Sequence, residues 1–233
     1  EKVMKKIGVL GGMSVASTKI YYDLLCQYTF EELGGLSSPD LIIRSLNFSD
    51  IEKLQSENRW EEAGNILNKE AKILEKSGAE ILLLATNTMH KVADLMLEGT
   101  SLKFIHIGTA TANHIKSDGF KKPALIATKF TMEEEFYKNT LIEKNLSPII
   151  PDEEDRNFIH QTIYDELCKS VINEGSRKTF INICTKLKKA GADCVILGCT
   201  EVCMLLDKPS SPLPIFDTTQ IHCKTAIIEG LKG

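Results

Sequence analysis

The chain has 233 residues, enough for one large domain or two of roughly 115 residues, and each alternative is long enough to bury a core. Its 42% hydrophobic and 26% charged residues are the balance of an ordinary globular protein. A net charge of −4 without a Lys/Arg cluster argues against a nucleic-acid partner, and no apolar run is long enough to span a membrane.

Taken in order, the opening Glu1-Lys2-Val3-Met4-Lys5-Lys6 offers no apolar core of a secretory leader and leads directly into a first buried strand over 6–10. That strand ends at Gly11-Gly12-Met13-Ser14, where backbone amides can approach an anion ahead of a helix over 15–33. The helix closes at Gly34-Gly35, and a second strand follows over 41–46. Arg44 in that apolar strand needs a partner, either a buried acid or a ligand, and Ser49 is placed to cap the next turn. An amphipathic helix over 58–77 stops at Gly78. Trp60 on it is expected to pack or to meet another subunit.

A strand over 79–85 then runs into Thr86-Asn87-Thr88 and a helix reaching Leu97, followed by a strand over 103–107 and a helix over 109–117. Pro123-Ala124-Leu125-Ile126-Ala127 is the next strand, leading into Thr128-Lys129-Phe130-Thr131. Thr131 is expected to cap a helix over 132–144, whose first turn carries Glu133, Glu134 and Glu135. A short strand over 147–150 precedes a helix capped by Asp152 and continuing to Val171, then a helix over 176–189. The strand over 192–198 enters a turn at Cys199, and a last strand over 214–217 leads to a closing helix capped by Thr218.

Two of these strands are copies. Ala79–Thr88 and Ala192–Glu201 share an acidic second residue, a continuous apolar run and a polar end, and Lys76 and Gly78 match Lys189 and Gly191. Thr86 aligns with Cys199, an offset of 113 residues, close to half the chain. Strands alternating with helices and carrying unbroken apolar runs predict parallel sheets covered on both faces. We therefore expect an α/β fold of two pseudo-symmetric halves, 1–110 and 111–209, with the chain returning to the first half over about 210–233. Ligands of such sheets lie beyond the carboxyl ends of the strands, where Thr86 and Cys199 would approach one ligand from opposite sides.

The polar groups at strand ends are Met13 with Ser14, Asn47, Asn87, Thr88, Thr128, Thr131 and Thr200, a donor-rich set that suits a carboxylate. Thr-Asn-Thr and Cys-Thr-Glu are also ordinary helix caps, and a cysteine ending a strand is also an ordinary core residue. A thiol at a helix N-terminus is more acidic than usual. The seven cysteines form no zinc-type spacing and fit reduced thiols in a cytoplasm, with Cys26, Cys184 and Cys194 as small core residues. His90 follows Thr86 by one helical turn and is expected only to pack or cap; His106, His114, His160 and His222 suggest no chemistry.

Gly11-Gly12-Met13-Ser14, Thr86-Asn87-Thr88-Met89-His90, Ala127-Thr128-Lys129-Phe130-Thr131 and Leu197-Gly198-Cys199-Thr200-Glu201 together resemble the cofactor-independent aspartate/glutamate racemases, over essentially the whole chain. The resemblance implies two α/β domains with the active site at their interface, a small amino acid as substrate, neither pyridoxal phosphate nor metal, and a homodimer. It implies that one residue removes the α-proton while its counterpart returns a proton to the other face. Most of the family has cysteine at both poles; here the first is Thr86, so Cys199 alone matches a catalytic thiol, the one acting on the L-enantiomer. The resemblance also carries substrate contacts onto Met13, Ser14, Asn87, Thr88, Thr128, Thr131 and Thr200. Lys169 would meet the distal carboxylate or is an exposed helix lysine, and Glu201 would hold the Cys199 turn or face the substrate ammonium. A threonine hydroxyl is a poor base, so the expected enzyme prefers L-aspartate or L-glutamate. Two rival readings are a cysteine-dependent dicarboxylate decarboxylase or isomerase of the same fold, and a non-catalytic amino-acid-binding module.

Overall fold

The computed structural model describes residues 4–232, so Glu1–Val3 and Gly233 lie outside the described residues. The chain divides into two compact units, the first made of residues 1–106 with 222–233, the second of residues 107–221. The sequence reading drew its boundaries at 110 and about 210.

The first unit contains β1 (Ile7–Gly11), α1 (Val15–Leu33), β2 (Leu41–Ser45), α2 (Phe48–Ser56), α3 (Trp60–Lys76), β3 (Ile81–Leu84), a 3-10 turn over Thr88–Val92, α4 (Ala93–Leu97) and β4 (Lys103–Phe104). Its four strands are parallel, in the order β2-β1-β3-β4. The second unit contains α5 (Ile107–Ser117), β5 (Pro123–Ile126), α6 (Lys129–Glu133), α7 (Glu135–Glu143), α8 (Glu153–Asp165), α9 (Glu174–Lys189), β6 (Cys194–Leu197) and β7 (Ile215–Asp217). Its strands are also parallel, in the order β5-β6-β7. The closing helix α10 (Thr218–Gly230) has its first residues in the second unit and the rest in the first.

Continuous apolar strands are buried on both faces because helices cover both sides of a parallel sheet. Every residue of β1, β3, β5 and β6 is buried. In the first unit Ile7, Val9, Ile81 and Leu83 pack with Tyr21 and Leu25 of α1 and with Cys223, Ala226 and Ile227 of α10. In the second, Leu125, Val195 and Ile196 pack with Ile159 and Ile163 of α8 and Phe180 and Ile183 of α9. Burial of one such Leu or Ile side chain stabilises the fold by roughly 1.5–3 kcal/mol.

Several elements depart from the sequence reading. β2 is an edge strand with its second half exposed, and there Arg44 pairs with Glu70 of α3 through Nε–Oε2 at 2.6 Å and Nη2–Oε1 at 3.2 Å. The guanidinium is half in solvent while Glu70 is buried, so the pair is half-buried rather than fully buried. Thr128, not Thr131, is the cap: its hydroxyl accepts the Thr131 N–H at 3.4 Å. The expected helix over 132–144 is broken at Glu134, which has extended backbone, and at the break Lys138 Nζ holds the Glu133 carbonyl and Arg156 of α8 its carboxylate. Asp152 does cap its helix, but that helix ends at Asp165, with a separate 3-10 turn over Leu167–Lys169. The segment 147–150 contributes one parallel bridge, Ile149 to Ala124, rather than a strand. Ser49 lies inside α2, which begins at Phe48. Cys26 is only partly buried.

Candidate active site

In the first unit the ends of three adjacent strands converge. Leu46 N–H donates to Gly11 O and Ala85 N–H to Leu10 O, both at 2.9 Å, which fixes the exits of β2 and β3 against that of β1. Gly12 makes this possible: its φ is +87°, and a Cβ there would lie 2.2 Å from Leu46 O. Ser14 begins α1 by accepting the Ser17 N–H at 3.3 Å, and the Ser17 hydroxyl donates to Ala85 O at 3.0 Å. The helix thus holds the residue immediately before Thr86. Met13, Ser14, Thr86, Asn87 and Thr88 are all buried, with Thr86 8% exposed. Asn47 lies at the exit of β2 but is exposed, and its Nδ2 donates to Asp50 Oδ2 at 3.0 Å.

The second unit builds the corresponding corner from β5 and β6. Gly198 N–H donates to Ile126 O at 2.7 Å, and the Thr218 hydroxyl donates to Leu197 O at 2.8 Å. Thr128 and Thr131, one capping α6 and the other fully buried, are 3.3 Å apart at their hydroxyls. Cys199, 7% exposed, opens the 3-10 turn over Thr200–Met204. Its Sγ donates to Glu201 Oε2 at 2.9 Å, and the Thr200 hydroxyl donates to the same oxygen at 2.6 Å. Burial, and after it the Glu201 carboxylate and the Cys168 thiol, hold the Cys199 thiol well above the ordinary range. The resting sulfur is therefore a protonated donor.

Lys169 sits in the 3-10 turn that packs on the Thr200–Met204 turn, but its side chain is 65% exposed and faces Asp165 at 3.7 Å. Neighbouring Cys168 was not anticipated; burial and Glu201 push its thiol up to about 12. Glu201, expected to hold the turn or to face the substrate ammonium, accepts from both Cys199 and Thr200. His90 was expected to pack or cap, and it packs: it is buried, and its Nδ1 donates to Thr86 O at 2.7 Å, while the turn has no side-chain cap. Among the described residues no group of three or more His, Cys, Asp or Glu side chains is placed to hold a metal ion, and no helix is long and apolar enough to cross a membrane. A cavity of about 720 Å³ lies along β7, lined by His114, Phe120, Cys203, Phe216 and Asp217 among others; neither Cys199 nor Thr200 lines it.

Residues 10–226 match the Asp/Glu/hydantoin racemase family. Among solved structures, a candidate Asp/Glu racemase from Yersinia pestis is 40% identical with a TM-score of 0.91, the match covering 98% of this chain and all of that one. An aspartate racemase homologue from Pyrococcus horikoshii is 33% identical with a TM-score of 0.84, over 97% of this chain and 99% of that one. A broad-specificity amino-acid racemase of Bacillus subtilis, RacX, is 23% identical over 224 residues, 95% of this chain and 96% of its own. The chain belongs to the Asp/Glu/hydantoin racemase family and is an amino-acid racemase.

Proposed function

We propose that the protein racemises aspartate or glutamate without pyridoxal phosphate, with Cys199 removing the α-proton of the L-enantiomer and the Thr86 side returning a proton to the opposite face. The observation that carries this reading is the Cys199 Sγ–Glu201 Oε2 bond at a buried strand end, repeated in the other unit by a strand end carrying Thr86.

A thiol held above its ordinary range is a poor base until its proton has somewhere to go. Glu201 supplies that acceptor at hydrogen-bond distance. An incoming substrate brings an ammonium group, whose positive charge favours the thiolate left by this transfer, and Glu201 gives the proton it took to water as the cycle closes. The thiolate then takes the α-proton, a positioned-base step of a kind that typically contributes ~10²–10⁴-fold. Charge developing on the substrate carboxylate is met by hydroxyls and backbone N–H groups at strand ends, which we assign to Ser14, Asn87, Thr88, Thr128, Thr131 and Thr200, with Met13 packing alongside. Asn47 and Lys169 would have to leave Asp50 and Asp165 to reach a substrate carboxylate, so we place them at the periphery of the site.

The asymmetry follows from the two pole residues. Thr86 Oγ–H can give a proton to a carbanion and be reprotonated from water, but it cannot readily start the reaction by removing one. The test is α-deuterium incorporation in D₂O, followed by NMR and chiral chromatography for both enantiomers of both acids. Incorporation is expected to be much faster from L-aspartate or L-glutamate than from the D-forms. Equal rates from L and D would overturn the asymmetric mechanism. Absence of exchange would favour the decarboxylase or binding-module alternatives.

A further inference from the structure

Against the Thr86 turn lies a cluster of three imidazoles, two buried and one half-buried, drawn from three parts of the first unit. His90 is on the turn itself, His106 follows β4, and His222 is on α10. The His90 ring is 4.7 Å from that of His106, 5.4 Å from that of Phe104 and 6.0 Å from that of His222. Two of the tautomers are dictated by carbonyl partners. His222 Nε2 lies 2.6 Å from Ile105 O and must carry its proton, leaving Nδ1 to accept from the Tyr21 hydroxyl at 2.6 Å. His90 Nδ1 lies 2.7 Å from Thr86 O and must carry its proton as well.

The backbone around Thr86 is thereby held at successive groups. Ala85 O is held by Ser17, Thr86 N–H bonds Leu84 O at 2.8 Å, and Thr86 O is held by His90. The first group is fixed by α1 and the second by the end of β3. The third is fixed by a side chain whose own position depends on the rings of Phe104, His106 and His222. With Ala85 O and Thr86 N–H held on one side of the Thr86 Cα and Thr86 O held by His90 on the other, the backbone from which the Thr86 Cβ projects is pinned on both sides.

We propose that His90 is a positioning residue for the Thr86 face of the reaction, setting how often the carbanion is protonated from that face rather than how fast it forms. This rests on the racemase reading above. The α-proton leaves to Cys199 Sγ, breaking one C–H bond. The new C–H bond is made either by return of a proton from Cys199, giving exchange with retention, or from Thr86 Oγ, which recovers its proton from water, giving inversion. His90 bears on the second route alone.

The experiment is the ratio of inversion to exchange with retention, measured on the L-substrate in D₂O by NMR and chiral chromatography. The variants are His90→Leu, which removes the donor, His90→Asn, whose amide N–H stands near the Nδ1 position, and His90→Gln, which moves the donor outward. A misplacement near 1 Å costs ~10²-fold in a positioned reaction, so His90→Leu is expected to lower the ratio about tenfold or more with retention exchange little changed. His90→Asn is expected to stay within about threefold of the parent, with the same principle setting the scale. If His90→Leu does not fold, His90→Gln carries the test and should also lower the ratio. An unchanged ratio, or an equal fall in both routes in every variant, overturns the proposal. A parent protein that exchanges no α-proton would instead overturn the racemase reading on which it rests.

Discussion

Gly198 precedes Cys199, and its missing side chain is what lets the exits of β5 and β6 close together. A Cβ there would lie 3.0 Å from Ala127 Cβ, 3.0 Å from Leu125 Cδ1 and 3.3 Å from Ile126 O. Carbon atoms pack best about 3.5–4.0 Å apart, so Gly198→Ala needs roughly half an ångström of relief. Leu125 Cδ1 is a side-chain end and can turn away. Ala127 Cβ is fixed to its backbone, so the strand exits themselves must separate. Overpacking of this kind costs ~1–3 kcal/mol, and with one of the contacts yielding we expect the lower half of that range. Displacement of Cys199 by about half an ångström should reduce turnover of the L-substrate about tenfold, given ~10²-fold for a full ångström. Urea unfolding followed by far-UV circular dichroism gives the first quantity and a chiral assay the second. Ala127→Gly in the same molecule removes the immovable contact and should recover most of the turnover, although the added glycine itself costs about 0.5–1 kcal/mol. If the single variant is as stable and active as the parent, or the double variant is no better than the single one, the close approach is not what places the sulfur.

Thr86→Cys puts a competent base at the first pole and should raise turnover of the D-substrate at least tenfold, within the ~10²–10⁴-fold span of positioned proton transfer; chiral assays from each enantiomer check it, and no gain from D would tell against Thr86 as a pole. Glu201→Gln removes a negative neighbour that raises the Cys199 thiol, so alkylation of Cys199 near neutral pH should speed up while α-proton exchange slows; a fall in both would mean that the carboxylate only braces the turn. Burial keeps His222 neutral and lowers it to about 4, and lowers His90 and His106 in the same direction. A histidine lowered by folding binds its proton more readily when unfolded, so its contribution to stability is fully present above about 6.5 and is lost as pH falls, completely by about 4 for His222. For His222 the gap corresponds to about 3 kcal/mol. Urea midpoints between pH 7 and 4 should show this slope, flattened in His222→Gln; a parent midpoint that does not move would refute it.

Much of this arrangement was legible in the residues. The repeated runs ending at Thr86 and Cys199 do form the central buried strands β3 and β6, because an unbroken apolar stretch can be buried on both faces only within a parallel sheet. The residues at their ends were legible for the same reason, since the polar positions begin where the strand stops. Long-range competition for local groups was not legible. Glu133 and Glu134 look like favourable first-turn residues, yet Arg156 from another helix takes the Glu133 carboxylate and the helix restarts at Glu135. Thr128 and Thr131 are equally good caps by type, and only the exit point of β5 gives the role to Thr128. For Lys169 the residues left two readings open, a cation for a substrate carboxylate or an exposed helix lysine, and nothing local in the sequence shows how far it leans towards Asp165. The ring contacts of His90 with Phe104, His106 and His222 were not legible either, because those residues lie far from it along the chain.

The first unit is completed by the end of the chain, since Cys223, Ala226 and Ile227 fill its core and Gly230 O accepts from Lys5 N–H at 3.0 Å. Cutting after His106 would therefore strip an apolar helix from the sheet and leave a fragment prone to clump. Circular permutation offers a way round this. With residues 222–232 placed ahead of residues 4–106 through a brief glycine-serine join, the half carrying Thr86 could be produced by itself, with its histidines intact for isotope labelling.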